Sequence, residues 1–193
     1  MPTIRDFLNR HLSCDLAEAD PLPFATATRQ VRKGTVFTRY GQTEHYAYFL
    51  GSGIVEVGLL RDGEEKIVEF FLPGNFFCAY TSLLTQQPAD VQVTALTDCV
   101  VEVVRGSELG AAYRTSLLAN QLGRFVTEQL YLRRVKREKE FLGSSAEERY
   151  AELLRQQPTL VQHLPVDKIA RYLGIHPASL SRIRRHVGES PGA

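Results

Sequence analysis

Short segments of β-branched and aromatic residues fill the chain from Arg29 to Val104, and glycine separates them. Two of these segments read VEVGLL and KIVEFF, a composition that is typical of strands. Asp62 and Gly63 lie between the two, and this dipeptide tolerates the positive φ angles of a tight hairpin turn. Turns recurring about every 8 to 12 residues predict an antiparallel β barrel or sandwich.

The pattern becomes helical after Arg105. The stretch 107–142 contains no proline, and its apolar residues recur at steps of 4, 3 and 7, which places them on one side of a helix. These residues are Leu118, Leu122, Phe125 and Leu132. One helix of this length would span about 54 Å, more than the β domain beside it could cover. We therefore expect the four side chains to form a homodimer interface, with packing on the chain's own core as the alternative.

A second helical region begins at Gly143 and contains IARYLGIHPASLSRIRRHV, residues 169–187. Gly174 ends one helix there, and Pro177 suits the first turn of the next. Apolar residues fall on the inward sides of both helices, namely Ile169, Leu173, Ile175, Leu180 and Ile183. This pattern predicts a helix-turn-helix.

The outer side of the second helix carries short polar groups and cations, which contact base edges and phosphates in DNA complexes. The predicted DNA-binding residues are Pro177, Ala178, Ser179, Ser181, Arg182, Arg184 and Arg185. Arg182 is expected to contribute most, through a base or a phosphate contact, and Arg184 and Arg185 are assigned to phosphates. His176 stands where serine or threonine would cap the helix better.

The charge distribution agrees with this division, although the net charge is only +1. Residues 1–120 hold 10 Lys and Arg against 14 Asp and Glu, whereas residues 121–193 hold 13 against 8. A basic end alone would favour an ordinary solvated surface, so the charge supports DNA binding only together with the motif.

The chain has no apolar run of about 18 residues and has acidic residues near its N-terminus, so we expect a cytoplasmic protein without membrane association.

Candidate catalytic and metal-binding residues are few. Cys14, Cys78 and Cys99 are odd in number and far apart, which predicts buried thiols rather than a disulfide framework or a metal site. Only one histidine, His45, lies within the β region. The sequence has no HxH or HxxxE spacing, the kind of pattern expected of a metal site in a β barrel. We therefore expect no enzymatic activity, no cofactor and no metal.

The order of β domain, long helix and helix-turn-helix resembles the Crp/Fnr superfamily of bacterial transcription regulators. The resemblance rests on KGTVFTRYGQ, YAYFLGSGIVEV, FFLPGNFF and TALTDCVVEVV, and most specifically on LPVDKIARYLGIHPASLSRIRR. It implies an α+β fold with an antiparallel, cyclic-nucleotide-binding-type β-roll (double-stranded β-helix) over residues 1–106, a dimerisation helix over 107–142 and a DNA-binding domain over 143–193. The partners it implies are double-stranded DNA, a second copy of the chain, RNA polymerase and a small-molecule effector.

The predicted effector pocket, which starts at Phe76, departs from the family's pattern. Members that bind cyclic AMP carry a Gly-Glu pair and, further along the chain, an Arg-Ser pair, which together cradle the ribose and the cyclic phosphate. This sequence has Cys78 and Ala79 at the first pair, and Ala89 and Asp90 at the second. Because the arginine contact is lost and an aspartate would repel phosphate, we expect no response to cyclic AMP.

The C-terminus departs as well, since only GESPGA follows Val187 where members commonly continue into a β-hairpin wing. We expect fewer phosphate contacts than in a winged relative. An iron–sulfur sensor would need an N-terminal cysteine cluster, and only Cys14 lies there. A haem sensor would have His45 and Cys78 as its axial-ligand candidates, and we interpret both as structural or surface residues.

Two alternatives remain open beside the regulator. One is a β-roll ligand-sensing or protein-interaction module without sequence-specific DNA binding, and the other is a cupin-like metalloenzyme. Salt-dependent binding to promoter DNA, lost on charge reversal at Arg182, would distinguish the regulator from the interaction module.

Overall fold

The computed structural model describes residues 1–189, with side chains described as far as residue 186. Its strands are β1 Ala27–Val31, β2 Val36–Thr38, β3 Tyr46–Ser52, β4 Val55–Arg61, β5 Glu64–Phe71, β6 Phe76–Phe77, β7 Val91–Ala95 and β8 Cys99–Arg105. They form two four-stranded sheets, with the orders β1-β8-β3-β6 and β2-β7-β4-β5. The pairs β1·β8, β3·β8, β3·β6, β2·β7 and β4·β7 are antiparallel, so the sequence pattern predicted this architecture correctly.

Side chains of β3 alternate between two cores. Tyr48 and Leu50 belong to the core that also contains Val93 and Val101. Phe49 points the other way, because successive side chains of a strand lie on opposite faces, and it packs with residues of the helices. Both faces of this sheet are therefore covered.

The β4–β5 hairpin turns at the predicted dipeptide. Asp62 has a φ of 53° and Gly63 a φ of 77°. Two successive positive φ angles are those of a two-residue type I′ turn, whose twist matches that of the flanking strands.

The helices are α1 Ile4–His11, α2 Tyr80–Thr85, α3 Gly106–Thr115, α4 Leu117–Gly143, α5 Ala146–Gln156, α6 Pro158–His163, α7 Val166–Leu173 and α8 Pro177–Glu189. The expectation of one helix over 107–142 is wrong, because Ser116, with φ −126° and ψ 120°, separates α3 from α4. The Oγ of Ser116 accepts a hydrogen bond from the N–H of Ala119 at 3.3 Å. A serine at a helix start satisfies an otherwise unpaired amide, and this favours the break.

Part of the expected dimer interface packs inside the chain. Leu122 is only 3% exposed and lies in a core cluster with buried residues of α1, and Leu118 packs against the same cluster. The ring of Phe125 lies 5.7 Å from that of Phe7 in α1. The expectation that Leu122 faces a partner is therefore wrong, whereas a partner contact stays a prediction for the partly buried Leu118 and Phe125 and for Leu132, which is 58% exposed. The N-terminal helix caused the difference by covering the stripe.

The chain divides into two compact units. The first comprises residues 1–60 and 68–129, and the second comprises residues 61–67 and 130–193. The division falls within α4, whereas the sequence placed a separate dimerisation helix over 107–142. The tip of the β4–β5 hairpin groups with the second unit.

The cysteines are free, and their burial differs. Cys99 is buried as expected, whereas Cys14 and Cys78 are partly buried, and Cys78 packs against the core of the β domain. Within the described part of the chain, no three side chains of His, Cys, Asp or Glu are grouped as metal ligands.

None of the helices among the described residues combines the length and apolarity that crossing a membrane requires. The expected lack of a wing concerns residues after 187, whose side chains lie outside the described set.

Candidate nucleic-acid interface

Helices α7 and α8 of the second unit are joined by a short turn that begins at Gly174. This glycine ends α7 with φ 70° and ψ 31°, a left-handed conformation that carries no Cβ penalty in glycine. Ile169 and Leu180 are fully buried, as the sequence predicted for the inward sides of the two helices. The turn therefore fixes where α8 starts and which side of it faces out.

A histidine caps the N-terminus of α8. The backbone N–H of Ala178 donates a hydrogen bond to Nδ1 of His176 at 3.3 Å. This bond satisfies one of the first amides of the helix, which have no partner within it. Pro177 has no N–H, so it adds no unsatisfied donor at the first position.

One face of α8 is open to solvent. Of the seven predicted residues, the exposed ones are Ala178, Ser181, Arg182 and Arg185, while Pro177, Ser179 and Arg184 are partly buried. Spacings of 3 and 4 residues align the exposed side chains along one face of the helix. The hydroxyl of Ser181 donates to the carbonyl of Pro177 at 3.1 Å, so its remaining capacity toward a ligand is as an acceptor.

Arg184 lies on the inner side of α8. Its Cζ is 5.7 Å from the ring centre of Tyr150, a buried residue of α5. Its Nε and Nη2 atoms are buried and have no hydrogen-bond partner. A guanidinium over an aromatic face is held by cation–π attraction, which makes this a packing residue. The guanidinium of Arg184 is thus turned toward α5 in this structure, and its phosphate contact stays a prediction.

Helix α7 carries two cations that the sequence reasoning missed. Lys168 Nζ lies 3.5 Å and Arg171 Nη1 lies 3.1 Å from Oε2 of Glu65, in the hairpin tip of the same unit. The first helix of a helix-turn-helix crosses the DNA backbone, so both cations are candidate phosphate contacts. Glu65 is 106 positions away from Arg171, and no local pattern could have revealed this pairing.

Two arginines hold the C-terminus of α7. Arg137 Nη2 donates to the carbonyl of Tyr172 at 2.7 Å, and Arg149 Nη2 donates to the carbonyl of Leu173 at 3.2 Å. Both guanidinium groups also lie 4.8 Å from the ring centre of Phe141. Because the last carbonyls of a helix have no intrahelical donor, these contacts stabilise the C-terminal end of α7.

The predicted effector pocket lies in the first unit. Ala79 and Ala89 are 1% and 5% exposed, Phe76 and Cys78 are partly buried, and Asp90 is exposed. The N–H of Ala89 donates to the carbonyl of Gln42 at 3.0 Å, and its carbonyl accepts from the N–H of Gly41 at 2.8 Å. The loop between β2 and β3 thus lies against the second predicted pair.

The same loop brings a buried carboxylate that the sequence reasoning missed. Glu44 is 2% exposed. Its Oε1 accepts the N–H groups of His45 and Tyr46, both at 3.0 Å. Its Oε2 accepts the N–H of Ala79 at 3.4 Å and the hydroxyl of Thr38. A lone acidic residue two positions before the apolar run YAYFL was the available sequence signal.

Burial and, after it, the charge of Glu44 raise the pKa of the Cys78 thiol. The same two causes raise the pKa of the Tyr48 hydroxyl. Cys78 is therefore protonated at neutral pH, whereas a reactive or metal-ligating cysteine is a thiolate. This agrees with the interpretation of Cys78 as a structural residue.

Comparisons with known proteins find a matching family model and several similar structures. Residues 28–116 match the family model for the cyclic nucleotide-binding domain. The c-di-GMP-responsive global regulator CLP of Xanthomonas campestris is similar in structure, with TM-score 0.67 and 18% identity over 84% of this chain and 86% of that chain. FixK2 from Bradyrhizobium japonicum gives TM-score 0.71 and 24% identity over 88% of this chain and 90% of that chain.

A third similar structure, from Eubacterium rectale, is of a protein assigned to the Crp/Fnr family of transcriptional regulators. It gives TM-score 0.70 and 14% identity over 97% of this chain and 84% of that chain. A comparison of the sequence with curated proteins finds no match. At these identities the structural similarity shows a shared fold, and the fold expected from the sequence is confirmed.

Proposed function

We propose that this chain binds DNA through α8. Its residues 28–116 belong to the cyclic nucleotide-binding domain family, and its fold is that of the Crp/Fnr transcription regulators. Two of the similar structures, those of CLP and of the Eubacterium rectale protein, are of regulators. The observation that carries the proposal is the exposed face of α8, which presents small groups and two arginines on a capped helix.

The residues of this face have different expected roles. Ala178 lies in the first turn, which in recognition helices contacts base edges, and its small side chain allows close approach. Arg182, one turn further, has the fork geometry that pairs with O6 and N7 of guanine. Arg185 lies further along the helix and is assigned to a phosphate, since the later turns leave the floor of the groove.

The test starts by sequencing DNA fragments that the purified protein captures, which yields an operator. Binding titrations then compare operator and scrambled DNA at two salt concentrations. Arg182→Ala is expected to cost about 1 to 3 kcal/mol on the operator and to relax one base position. Arg185→Ala is expected to weaken both DNAs alike and to reduce the salt slope by about 1.

Arg155→Ala is the matched control, because this arginine of α5 is exposed and pairs with Glu152 at 2.7 Å within the same unit. It is expected to leave both affinities unchanged. If Arg182→Ala behaves like the control, α8 is not the reading element. If the wild type shows no salt-dependent DNA binding, the chain is an interaction module instead.

We also infer a homodimer that binds a two-fold symmetric site, with half-sites about 34 Å apart. Leu117, Tyr131 and Leu132 of α4 are 76%, 67% and 58% exposed. Leu117 and Tyr131 are 14 positions apart, which is two heptads and hence one face of a coiled-coil helix. Sedimentation at micromolar concentration is expected to show a dimer, and Tyr131→Glu with Leu132→Glu is expected to give monomers. A wild-type monomer would contradict this inference.

Cyclic AMP and cyclic GMP are not expected to bind. Ala79 and Ala89 offer no side-chain groups to a ribose or a phosphate, and the exposed Asp90 would repel the phosphate. Calorimetry is expected to show no heat of binding, and a micromolar dissociation constant would mean that another phosphate site exists. RNA polymerase, a partner implied by the resemblance, stays a prediction.

A further inference from the structure

Glu44 is a charged group held inside the first unit. Burying an ionised carboxylate is costly unless hydrogen bonds replace its water. Here four donors do so, from Thr38, His45, Tyr46 and Ala79. The backbone N–H of Glu44 in turn donates to Oγ of Ser82, which is 3% exposed, at 3.0 Å. The surroundings of the carboxylate are thus built to hold negative charge.

The position of this carboxylate in the domain is informative. Ala79 stands at the second residue of the pair that cradles the effector in cyclic-AMP-binding members of the family. Its N–H now donates to a carboxylate oxygen at 3.4 Å, and a carboxylate oxygen is an anionic acceptor, as a phosphate oxygen is. The backbone groups of Ala89, the first residue of the other pair, are hydrogen-bonded to Gly41 and Gln42, which come before Glu44 in the loop between β2 and β3. Residues 41–44 therefore reach both positions where an effector would be held.

We propose that the Glu44 carboxylate is a built-in anion of the β domain, which takes the place of a diffusible anionic effector beside Cys78 and Ala79. The chemical class that this site accepts is a small oxyanion, and the chain supplies it itself. The site is consequently filled in the protein as synthesised. If the chain binds DNA as proposed above, it does so without an added effector, and this last step alone rests on the proposed function.

Removal of the carboxylate tests the proposal by creating a site for a free anion. Glu44→Ala deletes a CH2 and a carboxylate group, a volume close to that of acetate. Several buried donors then lose their acceptor, so the midpoint of thermal unfolding of the full chain is expected to fall by about 10 °C. Sodium acetate at roughly ten times its dissociation constant is expected to restore about 4 °C, measured against sodium chloride of equal ionic strength.

Two proteins serve as controls for this rescue. Glu44→Gln keeps the shape of the side chain and leaves no room for acetate, and the wild type keeps the carboxylate. Acetate is expected to give neither of them more than chloride gives. If Glu44→Ala is unfolded in chloride, recovery of the β-sheet circular dichroism in acetate counts as the rescue. Equal effects of acetate and chloride on Glu44→Ala would overturn the proposal and leave Glu44 a purely structural residue.

A measurement on the wild type needs no variant. Because the carboxylate already occupies the N–H of Ala79, titration with inorganic phosphate is expected to leave the amide resonance of Ala79 in place. A saturable shift of that resonance would overturn the proposal. Neither readout involves DNA, so failure of the DNA-binding proposal would leave both interpretable.

Discussion

Replacement of Gly174 by alanine probes the turn that orients α8. The φ of 70° at this position is left-handed, and a residue with a Cβ adopts that conformation at a cost of about 1 to 2 kcal/mol. A Cβ built there would also lie 2.9 Å from Cε1 of Phe141. The ring can yield only partly, since the guanidinium groups of Arg137 and Arg149 lie 4.8 Å from its centre. We expect Gly174→Ala to lower the free energy of unfolding by about 2 to 3 kcal/mol.

Urea unfolding of the full chain, followed by helical circular dichroism, measures this loss. Gly143→Ala is the matched control, because a Cβ at this last residue of α4 meets nothing within 4 Å. It is expected to be neutral or stabilising by up to about 1 kcal/mol, since alanine has the higher helix propensity. Operator affinity should fall with Gly174→Ala and stay unchanged with Gly143→Ala, if α8 is the reading helix.

Two further variants separate the backbone term from the contact term. Gly174→Asn should recover part of the loss, because asparagine tolerates the left-handed region better than alanine does. Phe141→Leu combined with Gly174→Ala should show a favourable coupling energy, because the smaller side chain relieves the close contact. Equal stabilities of Gly174→Ala and Gly143→Ala would refute the argument that the turn requires glycine.

Three other changes have definite expectations. Burial raises the pKa of the half-buried Glu102, so its ionised form lowers the stability of the folded state. Glu102→Gln should therefore raise the free energy of unfolding by less than about 1 kcal/mol at pH 7. Denaturation at lower pH should show this gain vanish as the pH falls below the raised pKa of Glu102. Glu65→Gln removes the negative charge beside Lys168 and Arg171, so DNA titrations should show tighter binding and a salt slope steeper by about 1, whereas unchanged binding would exclude α7 from the interface. His176→Ser supplies a better cap and should raise the free energy of unfolding by about 0.5 kcal/mol in urea, and a loss would contradict the capping role.

The sequence by itself determined the features that depend on neighbouring residues. The turn at Asp62 and Gly63 was predictable because few dipeptides accept two positive φ angles. The end of α7 at Gly174 and the start of α8 at Pro177 followed from the same kind of local preference. Short β-branched and aromatic segments with regularly spaced turns were enough to predict an antiparallel barrel or sandwich, since such segments favour strands.

Local patterns also identified the correct face of α8 but not every residue on it. Arg182 and Arg185 are exposed, as the pattern predicted. Arg184 lies between them in sequence, yet it turns toward Tyr150, because the ring comes from α5 and offers a cation–π contact. Position along the helix allowed either outcome, and packing with another helix decided it.

Tertiary structure alone decided where the apolar stripe of α4 and the buried charge lie. The helical spacing of Leu122 shows that it needs an apolar partner but not which one, and α1, more than a hundred positions earlier in the sequence, provides it. Likewise Glu44 is buried because its oxygens meet the N–H of Ala79, 35 positions away. Hydrophobic burial is non-directional, and a buried carboxylate is stable only where distant donors converge on it, so both outcomes require the folded chain.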